Sequence, residues 1–182
     1  MMRAAPLAIA DVLLFEPQVH GDARGFLYES FHQGRFERAV GRSVAFVQDN
    51  HSKSGAGVLR GLHYQVGRPQ GKLIRVVSGS VFDVAVDLRR SSPSFGHWTG
   101  AVLSSENCRQ MWIPEGFAHG FLVLSESAEL LYKATDYWSP ESERCIAWDD
   151  AQLAVDWPLS GPPVLSAKDQ RGTSFAAADL FD

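Results

Sequence analysis

Apolar and polar residues alternate strictly in the middle of the chain, and this alternation predicts β-strands. In VFDVAVDL (81–88), every second residue from the phenylalanine onward is apolar, and the residues between include two aspartates. A period of two over eight residues is typical of a strand with two different faces. The stretch follows KLIRVV across a Ser-Gly-Ser turn, so residues 72–88 are predicted to form a β-hairpin.

The rest of the chain has the same character. Further strand-like runs lie at residues 11–15, 26–31, 44–50, 57–65, 97–103, 119–124 and 129–138. They are short, rich in Val, Phe, Leu, Tyr and Trp, and separated by Gly, Pro or Ser. Many short strands at such spacing favour an all-β sandwich, jelly roll or barrel.

Helical patterns are few and short. HQGRFERAV (32–40) could form a short helix, and DDAQLAVDW (149–157) could form one or two helical turns. The tail at 161–182 is expected to wrap the core. A length of 182 residues fits one domain. We interpret 1–182 as a single domain, with a barrel core at about 25–140 and a C-terminal segment with short helices at about 149–182.

Composition restricts the class of protein. Seventeen basic and 21 acidic residues give a net charge of −4, which argues against binding to nucleic acid. Two widely spaced cysteines predict neither a disulfide framework nor a zinc knuckle. No run approaches the ~20 apolar residues of a membrane span, and the N-terminus is a poor signal peptide. We therefore expect a cytoplasmic protein without a membrane partner.

Two segments resemble the paired motifs of the cupin superfamily. The run from Gly57 to Gln70 matches the spacing of the first motif, and PEGFAH (114–119) matches the second. The resemblance implies a double-stranded β-helix, the jelly-roll barrel of cupins. Where a metal-binding cupin offers His, His, Glu and His, this chain has His63, Gln65, Gln70 and His119. Two neutral amides weaken the donor set for a transition metal, so no metal site is predicted.

Several ionisable side chains fall in predicted strands and tight loops. These are His63, Lys72, His119, Tyr132 and Asp169. Taken singly, each favours an ordinary structural role over a functional one. Gathered in one pocket, they would suit removal of a proton next to a carbonyl group, with a base, a cation and an acid in place.

The spacing of two of the candidates leaves a question open. Arg60 and His63 differ by three positions, so strict alternation sends them to opposite faces of a strand. Gly61, which lies between them, could host a bulge that redirects one of the two side chains.

Seven ordered blocks of sequence resemble the dTDP-4-dehydrorhamnose 3,5-epimerase family, over almost the whole chain. The blocks are GDARGFLYES (21–30), FVQDNHSKS (46–54), GVLRGLHYQ (57–65), QGKLIRVVSGSVFDVAVDLR (70–89), PEGFAHGF (114–121), YKATDYWSPESERCIAWDD (132–150) and LSAKDQRG (165–172). The resemblance implies an isomerase that needs no cofactor. It would invert C3 and C5 of a dTDP-linked 4-keto-6-deoxyhexose during dTDP-L-rhamnose biosynthesis.

The resemblance also implies roles for individual residues. His63 matches the base, Asp169 its carboxylate partner, Tyr132 the acid on the opposite face and Lys72 the residue that steadies the enolate. Positions that match those holding the nucleotide, the diphosphate or the sugar are Arg24, Glu29, Gln48, Asn50, Arg60, His119, Glu143 and Lys168. A pyrimidine could also stack on Phe26. Trp138 matches an aromatic that the family places against the sugar, often a tyrosine.

Alternatives remain at this stage. Tryptophan at position 138 keeps a stacking surface but lacks the phenol, which leaves open whether one or both carbon centres are inverted. A mono-epimerase of another deoxysugar pathway, a metal-dependent cupin and a non-catalytic sugar-nucleotide binding module are the competing hypotheses. Members of the family are usually homodimers with N-terminal strands that cross to the partner, so a homodimer is expected.

Overall fold

A computed structural model describes residues 2–182, and in this range β-strands dominate. The thirteen strands of residues 2–182 are β1 (Arg3–Pro6), β2 (Leu13–Glu16), β3 (His20–Asp22), β4 (Gly25–Leu27), β5 (Gln48–Gly55), β6 (Leu59–Gln65), β7 (Lys72–Ser78), β8 (Ser80–Asp87), β9 (Trp98–Ser104), β10 (Gln110–Ile113), β11 (Phe117–Val123), β12 (Ser127–Ala134) and β13 (Glu143–Cys145). One α-helix of the described chain, α1, spans Gln33–Val40, and 3₁₀ helices lie at Asp169–Arg171 and Phe175–Ala177. The all-β prediction is confirmed.

Two antiparallel sheets face each other. The six-stranded sheet has the order β1-β2-β10-β7-β12-β5, and the five-stranded sheet has the order β13-β6-β11-β8-β9. Strands β3 and β4 form a separate hairpin. Strands β1, β2 and β13 lie outside the range 25–140 that the sequence interpretation gave to the barrel core, yet they belong to the two large sheets.

The predicted hairpin at 72–88 is wrong, although both of its strands exist. Strand β7 pairs with β10 and β12, whereas β8 pairs with β9 and β11 of the opposite sheet. The chain changes sheets at Gly79, whose φ of +75° suits glycine, and a Cβ there would lie 2.0 Å from the Ser127 carbonyl oxygen. Alternation specifies a strand's two faces but not its neighbours.

Three apolar clusters form the core, one between the sheets and two on their outer faces. The space between the sheets is filled from both sides, for example by Ile74 and Leu130 against Ala85 and Phe121. The C-terminal segment covers the outer face of the five-stranded sheet with Leu153, Trp157 and Phe175. A third cluster lies under α1 on the outer face of the six-stranded sheet and includes Phe15, Phe36 and Trp112.

The two predicted helices have different outcomes. Helix α1 forms as predicted, capped by the His32 side chain at its start and by Gly41, with φ +78°, at its end. Residues 149–157 form turns and no helix. There the Asp150 carboxylate accepts hydrogen bonds from two backbone N–H groups shortly after it, and Ala154 adopts φ +46°. Such a side-chain turn competes with helix formation.

Strand boundaries differ from the prediction by a few residues. Strand β5 begins at Gln48 and not at 44, while β12 ends at Ala134 and not at 138. Strands β1, β3, β10 and β13 have no predicted counterpart. None of the helices in the described part of the chain has the length and hydropathy that a membrane-spanning segment requires.

Candidate active site

A cavity of about 230 Å³ opens between the two sheets. Most of its wall comes from β6, β11 and β13 of the five-stranded sheet and from β5, β7 and β12 of the six-stranded sheet. The lining residues are Ser52, Arg60, His63, Tyr64, Gln65, Gln70, Lys72, His119, Phe121, Tyr132, Trp138, Glu143 and Lys168. The cavity therefore collects polar and ionisable side chains from both sheets.

A bulge in β6 turns both Arg60 and His63 toward this cavity. On β11, His119 lies opposite His63 and Phe121 lies opposite Arg60, so β6 contains one extra residue over this interval. Gly61 sits in the bulge with φ +129°, and a Cβ there would lie 2.5 Å from the Cα of Gly120. Only glycine fits this close approach. The question left open by the spacing of Arg60 and His63 is thereby answered.

His63 and Asp169 form a close pair at one side of the cavity. His63 Nε2 lies 2.5 Å from Asp169 Oδ1, and the carboxylate also accepts the Ser166 hydroxyl at 2.6 Å. Burial favours a higher pKa for Asp169, but the bonds from His63 and Ser166 outweigh it and lower the pKa to about 2. Asp169 is 3% exposed and stays ionised, so it orients an imidazole that donates from Nε2 and keeps its lone pair on Nδ1.

The pKa of His63 itself is lowered from 6.5, chiefly by burial. The hydrogen bond with Asp169 opposes this effect and raises the pKa, whereas the positive charges of Lys168 and Lys72 lower it further. A neutral imidazole at neutral pH is the form that accepts a proton.

Lys72 enters the cavity from the first position of β7. Burial lowers the pKa of its ammonium group to about 8, while the negative charges of Asp83 and Glu143 counteract that effect. The side chain is therefore a partly buried cation at neutral pH. Such a group stabilises negative charge that develops on a nearby oxygen.

Tyr132 reaches the cavity from β12, in the sheet opposite to the one that carries His63. Burial raises the pKa of its phenol, and the positive charge of Arg60 partly opposes the shift. A phenol that remains protonated can donate a proton. An imidazole and a phenol on opposite walls can thus act on the two faces of one bound molecule.

His119 is held by a buried aspartate that sequence reasoning did not single out. Its Nε2 lies 3.0 and 3.1 Å from the two carboxylate oxygens of Asp83, which is fully buried on β8. The only signal for Asp83 in the sequence was its polar position within an apolar strand. The contact with Asp83 fixes the orientation of the His119 ring.

The rim of the cavity carries a second group of polar contacts. Lys168 donates to Glu143 at 2.8 Å, and the backbone N–H of Trp138 donates to Gln48 Oε1 at 2.9 Å. Gln48 in turn donates to Asn50 at 3.0 Å. Burial favours a higher pKa for Glu143, but the ion pair with Lys168 prevails and lowers it.

Gln65 and Gln70, which occupy the positions of two metal ligands in metal-binding cupins, form hydrogen bonds with backbone groups. Gln65 Nε2 donates to the carbonyl oxygens of Arg68 and Tyr137, and its Oε1 accepts the N–H of Ser139. Gln70 donates to the Asp136 carbonyl at 2.7 Å. These amides hold the loop after β12, which carries Trp138. Two of the four side chains at cupin ligand positions are therefore occupied by hydrogen bonds to the backbone.

A different set of donors lies close enough to share a cation. Among residues 2–182, one ligand atom each from His63, Cys145 and Asp169 falls within a 4.8 Å group. A bound cation would have to displace the 2.5 Å contact between His63 and Asp169 and to tolerate the nearby charges of Lys72 and Lys168. Burial also raises the pKa of the Cys145 thiol to about 12, which disfavours the thiolate that metals prefer. The arrangement suits proton transfer better than metal ligation.

Not every candidate residue meets at the cavity. Arg24 pairs with Asp22 on the exposed β3–β4 hairpin, Phe26 is 68% exposed there, and Glu29 pairs with Arg35. Gln48 and Asn50 lie on β5, where Gln48 accepts the Trp138 N–H at the rim and donates to Asn50. Lining residues that sequence reasoning missed are Ser52, Tyr64 and Phe121, which no motif singled out.

Comparisons with known proteins identify the family of this chain. A family model for dTDP-4-dehydrorhamnose 3,5-epimerase matches residues 6–177. The dTDP-4-dehydrorhamnose 3,5-epimerase of Pseudomonas aeruginosa is 64% identical over 180 residues, covering 99% of each chain. The solved dTDP-6-deoxy-D-glucose-3,5-epimerase of Legionella pneumophila, in complex with dTDP-4-keto-L-rhamnose, superposes with a TM-score of 0.96 at 52% identity, covering 98% of this chain and 95% of that one.

A 3'-monoepimerase from Streptomyces bikiniensis, solved in complex with dTDP-quinovose, has the same fold. Its TM-score is 0.87 at 33% identity, covering 94% of this chain and 87% of that one. The double epimerases above are considerably more similar in sequence. The paired sheets, the extended sequence match and the shared structure lead to one conclusion: this chain belongs to the dTDP-4-dehydrorhamnose 3,5-epimerase family.

Proposed function

We propose that this protein epimerises C3 and C5 of a dTDP-linked 4-keto-6-deoxyhexose, converting dTDP-4-dehydro-6-deoxy-D-glucose to dTDP-4-dehydro-L-rhamnose. The 4-keto group acidifies the hydrogens on both neighbouring carbons. Removal of either hydrogen moves its electron pair onto O4 as an enolate. Return of a proton to the opposite face of the same carbon inverts the centre, and no net change in oxidation state occurs.

Four residues carry the chemistry in this proposal. His63 Nδ1 takes the proton while Asp169 holds the ring, and the resulting imidazolium is stabilised by the carboxylate. Lys72 stabilises the O4 enolate. Tyr132 returns a proton from the other side. The single observation that supports this reading best is that His63 and Tyr132 face one cavity from opposite sheets.

The other candidate residues that lie at or near the cavity are proposed to bind the substrate. Arg60 can neutralise phosphate charge, His119 can bond the sugar, and Trp138 can stack on an apolar surface of the ligand. Glu143 and Lys168 close the cavity beside His63. Gln48 and Asn50 extend the polar wall along β5.

A homodimer belongs to the same proposal. Arg24, Phe26 and Glu29 lie away from the cavity of their own chain, and the hairpin exposes Phe26 and Leu27 at 68% and 76%. In a dimer the hairpin of one chain would place these residues at the cavity of the other and bury the two apolar side chains. A cytoplasmic location is also proposed, and the free thiols of Cys108 and Cys145 agree with a reducing compartment.

Solvent exchange followed by NMR tests the proposed function. The protein is incubated with dTDP-4-keto-6-deoxyglucose in deuterated water, and deuterium is expected at both C3 and C5. Absence of deuterium at both carbons would contradict the epimerase proposal. Exchange at one carbon only would favour a mono-epimerase, the second candidate, which the tryptophan at position 138 brings into consideration.

The rate should depend on pH in two ways. His63 must be neutral to act as a base, so kcat/KM is expected to fall as the pH drops through its pKa, which lies below 6.5. Lys72 must be charged, so kcat/KM is expected to fall again as the pH rises past about 8. Measuring kcat/KM across this range tests both limits.

A matched variant assigns the alkaline limit. Arginine stays protonated throughout this range, so Lys72→Arg is expected to move the upper limit out of the measured window even if its maximal rate is lower. An upper limit that remains near the wild-type value in Lys72→Arg would show that another group titrates there.

A further inference from the structure

Strand β5 presents a row of polar side chains to the interior. Gln48, Asn50, Ser52 and Ser54 alternate with exposed residues, so they share one face. Three hydrogen bonds involve this row: the Trp138 N–H donates to Gln48 Oε1 at 2.9 Å, Gln48 Nε2 donates to Asn50 Oδ1 at 3.0 Å, and Arg60 Nε donates to Ser54 Oγ at 3.0 Å. The row connects the cavity rim to Arg60.

Ser52 belongs to this row but, unlike the other three residues, has no hydrogen-bond partner for its side chain in the described part of the chain. Its Oγ is buried, and within residues 2–182 it is the one buried side-chain nitrogen or oxygen atom without a hydrogen-bond partner. Ser52 lines the cavity. Leaving a buried hydroxyl unpaired is unfavourable, and such a group in a folded protein needs an explanation.

The surroundings of Ser52 indicate what would pair with it. Arg60 donates to the Ser54 hydroxyl and to the Lys53 carbonyl, and neither acceptor carries a charge that would neutralise the guanidinium. An unneutralised arginine beside a free hydroxyl is a combination suited to a phosphoryl group. Rotation about the single χ1 bond of serine moves Oγ among three staggered positions along the cavity wall.

We propose that Ser52 contacts the substrate and that its hydroxyl donates a hydrogen bond to a phosphoryl oxygen of the nucleoside diphosphate bound by Arg60. This inference rests on the proposed function and adds a residue to its binding site. Bound substrate would supply the hydrogen-bond partner that the Ser52 hydroxyl lacks within residues 2–182.

Calorimetric titration of Ser52→Ala with dTDP and with thymidine tests the inference. Alanine removes one atom and fits the same space. Because the lost bond has a charged acceptor, the Kd for dTDP is expected to rise roughly tenfold or more, whereas the Kd for thymidine should stay unchanged. The Tm of the unliganded variant should not fall, since no bond within the protein is lost.

Ser54→Ala is the matched comparison for stability. It lies two positions away on the same face and loses its contact with Arg60, so its Tm is expected to fall. Wild-type dTDP affinity in Ser52→Ala, or equal weakening of dTDP and thymidine, would overturn the assignment. Failure of the wild-type protein to bind dTDP would instead contradict the proposed function, and the inference with it.

Discussion

His63→Ala is expected to lower the rate of deuterium incorporation at C3 and at C5 by roughly 10²-fold or more. Both carbons should be affected because, in the proposal, one imidazole in the cavity wall, held 2.5 Å from Asp169, takes the proton from C3 and from C5. The loss should appear in kcat more than in KM, since the ring acts on the reacting hydrogen. NMR of the exchange reaction measures the two carbons separately.

His97→Ala provides the control for this experiment. His97 is exposed and takes no part in the cavity wall, so its removal should leave both exchange rates unchanged. Exchange at the wild-type rate in a folded His63→Ala protein would remove His63 from the role of base. Selective loss at one carbon would require a second base for the other.

Tyr132→Phe is expected to separate proton removal from inversion. The variant keeps the ring but lacks the hydroxyl, so His63 can still take a proton and return one to the same face. Deuterium should then enter the substrate with retained configuration, while formation of the epimerised product falls by roughly 10²- to 10⁴-fold. NMR reports the deuterium content and the configuration in one sample.

Tyr137→Phe is the matched control, because Tyr137 is 55% exposed on the neighbouring loop and does not line the cavity. It should behave like the wild type. A normal yield of epimer from Tyr132→Phe would show that another group, or water, supplies the second proton. Loss of exchange as well as inversion would mean that the phenol also takes part in proton removal.

Sequence periodicity predicted strands better than their arrangement. The alternation in β8 predicted that Asp83 and Ala85 share one face and that Val84 and Val86 share the other. In the structure, Asp83 and Ala85 face the space between the sheets, whereas Val84 and Val86 lie under the C-terminal segment. It did not reveal that β7 and β8 join different sheets. The choice of partner strand depends on long-range packing, which local pattern does not contain.

The site shows the same division. Resemblance to the epimerase family, and not periodicity, singled out Asp169, which lies 106 positions from His63. No motif signalled the contact of Asp83 with His119 or the role proposed for Ser52, because both depend on neighbours from other strands. The catalytic and binding roles assigned to the cavity residues stay predictions until the variants are measured.

The sequence by itself determined the all-β class, because alternation is a local property that single stretches carry. It also determined the family, through seven ordered blocks taken together, and with the family the chemistry to be expected. The tertiary structure alone decided that Arg60 and His63 share a cavity, since the bulge at Gly61 is visible only in the register of β6 against β11. It also decided which ionisable groups are desolvated. Burial and proximity arise from distant segments packed together, and they set the charge state on which the proposed reaction depends.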